Sequence, residues 1–179
     1  MSTSTITQSR YSVPTASRHS VLGLLLSMAV PPALFGLANW FGDAAGIVPL
    51  FFAPFGLPGW IGAAVYVGSL PLYGAAWHLV SREGRSGQIA ARWISLLVAA
   101  TLLFPFVIAP LDSFQLSGLA VVLAVLGIGA TLHAAAVSPL AGWVMAPATL
   151  WMGFSAVLGM SFTANWSPPF APTNPHNSL

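Results

Sequence analysis

The chain has 179 residues, 56% of them apolar and only 4% charged, with a formal net charge of +2 and no cysteine. Ordinary soluble domains carry about 25% charged residues, whereas a bilayer accepts runs of about twenty apolar residues in place of water, so the composition specifies an integral membrane protein. Five scattered arginines and no lysine leave no basic stripe for nucleic acid, and the missing cysteine excludes disulfides and thiolate chemistry.

Residues 1 to 20 hold six serines, four threonines, Arg10 and Arg18 but no acid. They read as a disordered polar tail, with a transit peptide as the rival reading. The first membrane helix is expected over Val21 to Phe41, where the apolar run continues through Pro31 and Pro32 instead of stopping as a cleaved signal does. Gly42 to Gly59 combines glycine, three prolines and Asp43 with Leu50, Phe51, Phe52 and Phe55. This is a long apolar loop, which must lie on the protein or in the interface to leave water.

Four further spans are expected at Trp60 to Val80, Ala90 to Ala109, Phe114 to Val137 and Leu140 to Thr163. The expected architecture is therefore an all-α integral membrane protein, a five-transmembrane-helix bundle. Connectors are short except Ser81 to Gln88, which carries Arg82, Glu83 and Arg85, and short connectors make neighbouring helices antiparallel. Residues 164 to 179, rich in proline and asparagine, read as a second disordered tail. Alternating the loops places all five arginines on one side and Asp43 and Asp112 on the other, so the positive-inside rule predicts a cytoplasmic amino terminus and an opposite carboxyl terminus, in a cell membrane of bacterial type. Trp40, Trp60, Trp143 and Trp166 fall near segment ends, where aromatic belts form, while Trp151 lies deep in a span.

The residues offer no catalytic constellation. Asp43 and Asp112 stand alone in loops, Glu83 lies between two arginines, and no intramembrane chain of acids of the kind that carries protons is present. His78 and His133 lie near the cytoplasmic ends of their helices, either as ligands to a haem or chlorin metal or as neutral interfacial imidazoles. Proposed cholesterol patterns fail for lack of a correctly placed arginine.

On the second helix Tyr66, Leu70, Tyr73 and Trp77 recur at helical spacing on one face. Such a stripe suits core, lipid contact, or the wall of a pocket for a flat apolar ligand. On the fifth helix Trp151 and Ser155 are neighbours one turn apart, and Pro147 one turn earlier is expected to kink the span and open a gap beside it. Small residues at spacing four, Ser95 with Ala99 and Ala120 with Ala124, permit close helix approach and dimerisation.

Between Leu57 and Gly159 these residues resemble the TspO/MBR family of tryptophan-rich sensory and translocator proteins. Pro58-Gly59-Trp60 is similar to the family's opening of the second helix, and Gly74-Ala75-Ala76-Trp77 to its end. Leu103-Phe104-Pro105-Phe106 resembles the proline-aromatic stretch closing the third helix, and Ala141-Gly142 with Pro147, Trp151 and Leu158 resembles the fifth. The resemblance implies a five-helix bundle, commonly dimeric, with a cavity beneath the first long loop and a sensory or regulatory role without chemistry of its own. By position it assigns Tyr66, Trp151 and Ser155 to the cavity and Trp60 to the loop boundary. No cofactor is required. The implied ligand is a tetrapyrrole such as a porphyrin or haem, a sterol, or another hydrophobic molecule such as a carotenoid.

The chain departs from the family where polar groups are expected. The third-helix asparagine and tryptophan fall on Ala100 and Leu103, the fifth-helix tyrosine on Ala148 and the late asparagine on Gly159. Losing amides that orient a ligand relaxes specificity. The alternative expectation is a non-catalytic accessory subunit packed into a larger membrane complex through its alanine-rich faces.

Overall fold

A computed structural model describes residues 21 to 166. Both polar tails expected from the sequence, with Arg10 and Arg18, lie outside the described residues, except that 164 to 166 belong to the last helix. The chain forms five helices, α1 (Val21–Ala44), α2 (Gly59–Val80), α3 (Gly84–Val107), α4 (Ser113–Val137) and α5 (Pro139–Trp166), with one 3-10 turn at Pro54–Gly56 and no strand among the described residues. Four of them, α1, α3, α4 and α5 up to Ala164, are long and apolar enough to cross a membrane. At about 1.5 Å per residue each reaches 36 Å or more, beyond the ~30 Å hydrocarbon core. The fifth expected span, α2, falls outside that group. Its tyrosines, glycines, tryptophans and His78 dilute its apolar content, and it sits centrally, packed against all four other helices.

Most boundaries shift outward from the expected ones for local reasons, while α3 ends at Val107, two residues short of the expected Ala109. The α3 helix begins at Gly84 rather than Ala90, since Arg85 and Gln88 are good helix formers that a search for apolar runs overlooks. Gly84 itself has φ +61, a left-handed conformation that lets a short turn join α2 to α3. Asp112 is a helix cap: its carboxylate accepts from the Gln115 amide at 2.8 Å, and the Gln115 side chain accepts from the Asp112 amide at 3.3 Å. A single residue, Ser138, separates α4 from α5, and the two helices approach so closely that a Cβ on Gly142 would lie 2.6 Å from that of Ala135. Hydroxyl pairs join them farther along, Thr131 with Thr149 and Ser117 with Thr163, each at 2.7 Å, the kind of link that remains useful where lipid replaces water.

Proline is tolerated inside all the helices but α4. Each one deprives the carbonyl four residues earlier of its helical donor, and in a membrane that carbonyl must find another partner. Pro147 does not end α5, which runs on to Trp166. The α1 helix packs on α2 and less extensively on α3, and reaches neither α4 nor α5. Leu70, Tyr73, Ile94, Leu97 and Met145 are the largest residues at the centre of the core.

Candidate functional site

Two recesses flank Tyr73. The first lies beneath the α1–α2 loop. Leu50, Phe51 and Phe52 from the loop, Tyr66 and Ser69 from α2, Thr101 and Phe104 from α3, and Ala148, Trp151 and Ser155 from α5 line a cavity of about 60 Å³. The loop is held over it by a hydrogen bond from the Leu50 amide to the Pro105 carbonyl at 3.0 Å. It also sits directly on α2 at Gly62, where a Cβ would lie 2.3 Å from the Phe52 carbonyl oxygen. Phe51 meets Tyr66 edge-on with centroids 5.4 Å apart, and Phe52 meets Trp151 edge-on at 6.0 Å.

Tyr66, Trp151 and Ser155, which the resemblance assigns to a cavity, all line this recess, and Trp60 does not. Trp60 is 70% exposed at the start of α2, six residues before Tyr66 and so about 120° away around the helix. Trp40 and Trp143 are similarly exposed near helix ends. Of the positions where the family's polar groups are missing, Ala148 lines the cavity, Ala100 packs against the core beside it, and Gly159 faces Ser117 of α4.

The polar groups around the cavity are mostly committed to the protein. The Tyr66 hydroxyl donates to the Thr101 carbonyl. That acceptor is available because Pro105, four residues on, has no amide hydrogen to offer it. Ser155 donates to its own helix at Trp151 O, 2.8 Å away, and Ser69 to Tyr66 O at 2.6 Å. The exception is the Thr101 side chain, which is 2% exposed, lines the cavity, and has no hydrogen-bond partner for Oγ1. A buried hydroxyl without a partner costs about 1–3 kcal/mol. Thr101 is the residue that sequence reasoning missed. The available signal was its place next to Ala100 and four residues before Pro105, on the face that Tyr66 reaches.

The second recess is a cleft of about 450 Å³ between α1 and α3, floored by α2. Its walls are apolar, with Ser27 and Ser95 among Leu26, Val30, Ile94 and Leu102, and Trp77, the last residue of the aromatic stripe, lies in it. Of the rest of that stripe, Leu70 and Tyr73 are fully buried, while Tyr66 lines the first recess. The two membrane histidines have separate environments. His78 is buried with Nδ1 3.3 Å from Ser27 Oγ, and His133 stacks on Trp93 with centroids 5.2 Å apart. Among the described residues no three histidine or acid side chains cluster as a metal site does.

No family model matches this chain, and no curated protein matches it.

Proposed function

We propose that the chain is a TspO/MBR-like membrane protein that binds a hydrophobic planar or polyene ligand in the cavity beneath the α1–α2 loop, in a sensory, regulatory or translocator role without chemistry of its own. The observation that carries this reading is the convergence of Tyr66, Trp151 and the unpartnered Thr101 hydroxyl on one recess closed by loop side chains. Aromatic walls give a flat ligand large contact at little entropy cost, and a lone hydroxyl can orient one polar group. Ligand pockets usually measure about 300–1,000 Å³, so a cavity of about 60 Å³ does not admit a tetrapyrrole while Phe51 and Phe52 occupy it. Binding on this reading requires the loop to lift. The membrane orientation with a cytoplasmic amino terminus belongs to the same proposal and rests on Arg82 and Arg85 at the α2–α3 turn and Arg92 in the first half of α3.

The small cavity favours the second reading, an accessory subunit whose interior is filled by its own Leu, Ala and Phe side chains. Titration of the purified protein with a porphyrin separates the two. The ligand reading expects saturable quenching of tryptophan emission, weakened in Trp151→Ala by the ~0.5–1.5 kcal/mol that stacking adds. An unchanged affinity in folded Trp151→Ala, or no saturable binding at all, favours the accessory subunit.

A further inference from the structure

We propose that the cleft between α1 and α3 holds one acyl chain of an anionic phospholipid, with its phosphate at the end marked by Arg92. The proposal is independent of what the inner cavity binds. The apolar cleft shares Trp77 and Ser95 with a second, open recess lined by Ser81, Gln88, Ala91 and Arg92, so the two adjoin, and the channel they make together changes from apolar to polar along its length. From Leu102 to Arg92 the wall on α3 is ten residues, about 15 Å at helical rise. That is half of the ~30 Å hydrocarbon core, the depth of one leaflet. The channel therefore has the length of one lipid tail and the polarity gradient of one lipid, with the head at the arginine.

The charge at the mouth selects the occupant. Arg92 is exposed and is the arginine that lines the recess, whereas Arg82 and Arg85, in the adjoining turn and first helical residues with Glu83 between them, are not on its lining. An anionic head group is attracted there, as basic recesses between membrane helices attract phosphates generally. The chain's own residues 1 to 20, which precede α1, are polar, carry Arg10 and Arg18 and have no acid. They match neither the apolar walls nor the positive mouth. Ser95 and Ala99 leave the room: both line the cleft from α3, and a large side chain at either would fill it.

The test uses the full chain exchanged into nanodiscs or micelles containing equal phosphatidylglycerol and phosphatidylcholine of matched acyl chains, with retained lipid read by native mass spectrometry. The native protein is expected to retain phosphatidylglycerol about fivefold over phosphatidylcholine, the equivalent of ~1 kcal/mol for one arginine near the surface. Arg92→Gln should abolish the preference while leaving phosphatidylcholine retention unchanged. Ala99→Phe, at an exposed position outside the core, should reduce retention of both lipids. Circular dichroism of each variant reports that the helices remain. Equal retention of the two lipids by the native chain overturns the proposal, as does a preference that survives Arg92→Gln. A spectrum of lipid-free dimers, in which a second copy covers the cleft, overturns it too.

Discussion

The cavity beneath the loop and the cleft beside α1 share the Tyr73 wall, yet one measures about 60 Å³ and has Phe51 and Phe52 of the loop in its lining while the other measures about 450 Å³ and is lined by helices alone. The difference follows from connectivity. The fourteen residues between α1 and α2 carry enough aromatic surface to fold back over the bundle, so the interior under them is filled by the chain itself. On the other side α1 packs chiefly on α2, and the surface it leaves uncovered must be completed by lipid or a partner. Volume alone therefore does not say which recess binds a ligand; it says which one the chain fills with its own side chains.

Two glycines, one in each region, sharpen this contrast. A Cβ on Gly74 would lie 1.9 Å from the Ser27 carbonyl oxygen, backbone against backbone at the α1–α2 contact, where no side chain can swing aside. Gly74→Ala should therefore drive α1 off α2 and cost about 3 kcal/mol or more, at the upper end of overpacking effects. Gly62→Ala meets the Phe52 carbonyl at 2.3 Å, but that carbonyl belongs to a loop. Its cost should be smaller, about 1–3 kcal/mol, and on the proposed ligand reading porphyrin should associate faster with the variant because the loop is lifted. Thermal midpoints and stopped-flow quenching read both effects. Equal destabilisation by the two variants would mean that the loop is as rigid as the helix pair and does not act as a cover.

The next effect concerns the hydrogen bond that ties α2 to α3 under the loop. Tyr66→Phe strands the Thr101 carbonyl, which Pro105 has already deprived of its helical donor, and should cost about 1–3 kcal/mol. Pro105→Ala restores an amide hydrogen to that carbonyl. In the Pro105→Ala background, Tyr66→Phe should cost less than in the native chain, and the double-mutant cycle measures the difference. Additive losses would show that the tyrosine hydroxyl does not compensate for the proline.

Most of the helical framework is legible in the sequence, because long apolar runs have few alternatives in this composition. The elements read less well are those whose signal is polar or local. The start of α3 at Gly84 depends on a positive φ and on arginines that continue a helix beyond the apolar run, and the outward turn of Trp60 depends on a phase that aromatic belts and binding sites share. The resemblance assigns Tyr66 and Trp151 to a cavity, and both line the recess under the loop. That the Tyr66 hydroxyl is engaged by a carbonyl, leaving Thr101 as the unpartnered polar group, required the geometry. The distinction depends on which carbonyl Pro105 exposes and which helix lies opposite it, and helix spacing on one segment cannot supply the second fact.

Thr101 gives a prediction of opposite sign from the packing variants. Because its Oγ1 is buried without a partner, Thr101→Val removes a desolvated hydroxyl at nearly constant volume and should stabilise the ligand-free protein by about 1 kcal/mol. The same change should weaken a ligand that offers a hydrogen-bonding group and leave a pure hydrocarbon unaffected. Midpoints with and without porphyrin, measured on both proteins, check the sign. A destabilised Thr101→Val would mean that the hydroxyl has a partner in the cavity even without ligand, and a space of about 60 Å³ has room for an ordered water.

The smallest expected effect is at Phe55, where opposing terms nearly cancel. Phe55 has φ +59, a left-handed conformation that costs a non-glycine residue about 1–3 kcal/mol. Its ring is 78% exposed but lies against Phe154 with centroids 6.3 Å apart, a contact that contributes about 0.5–1.5 kcal/mol. Phe55→Gly relieves the strain, loses the ring contact, and adds about 0.5–1 kcal/mol of backbone entropy cost. The net change should stay within about 1 kcal/mol of zero. The informative variant is therefore the pair. In a Phe154→Ala background the ring contact is already gone, so adding Phe55→Gly should shift stability upward relative to its effect in the native chain, by roughly the value of that contact. Because Phe154 also lies near Trp151 and Phe52, an upward shift would show that the exposed tip of the loop is held down by its ring on α5 against local strain. No shift would place the loop's hold at the Leu50–Pro105 hydrogen bond and the Gly62 contact instead, and the cover would then open from its tip.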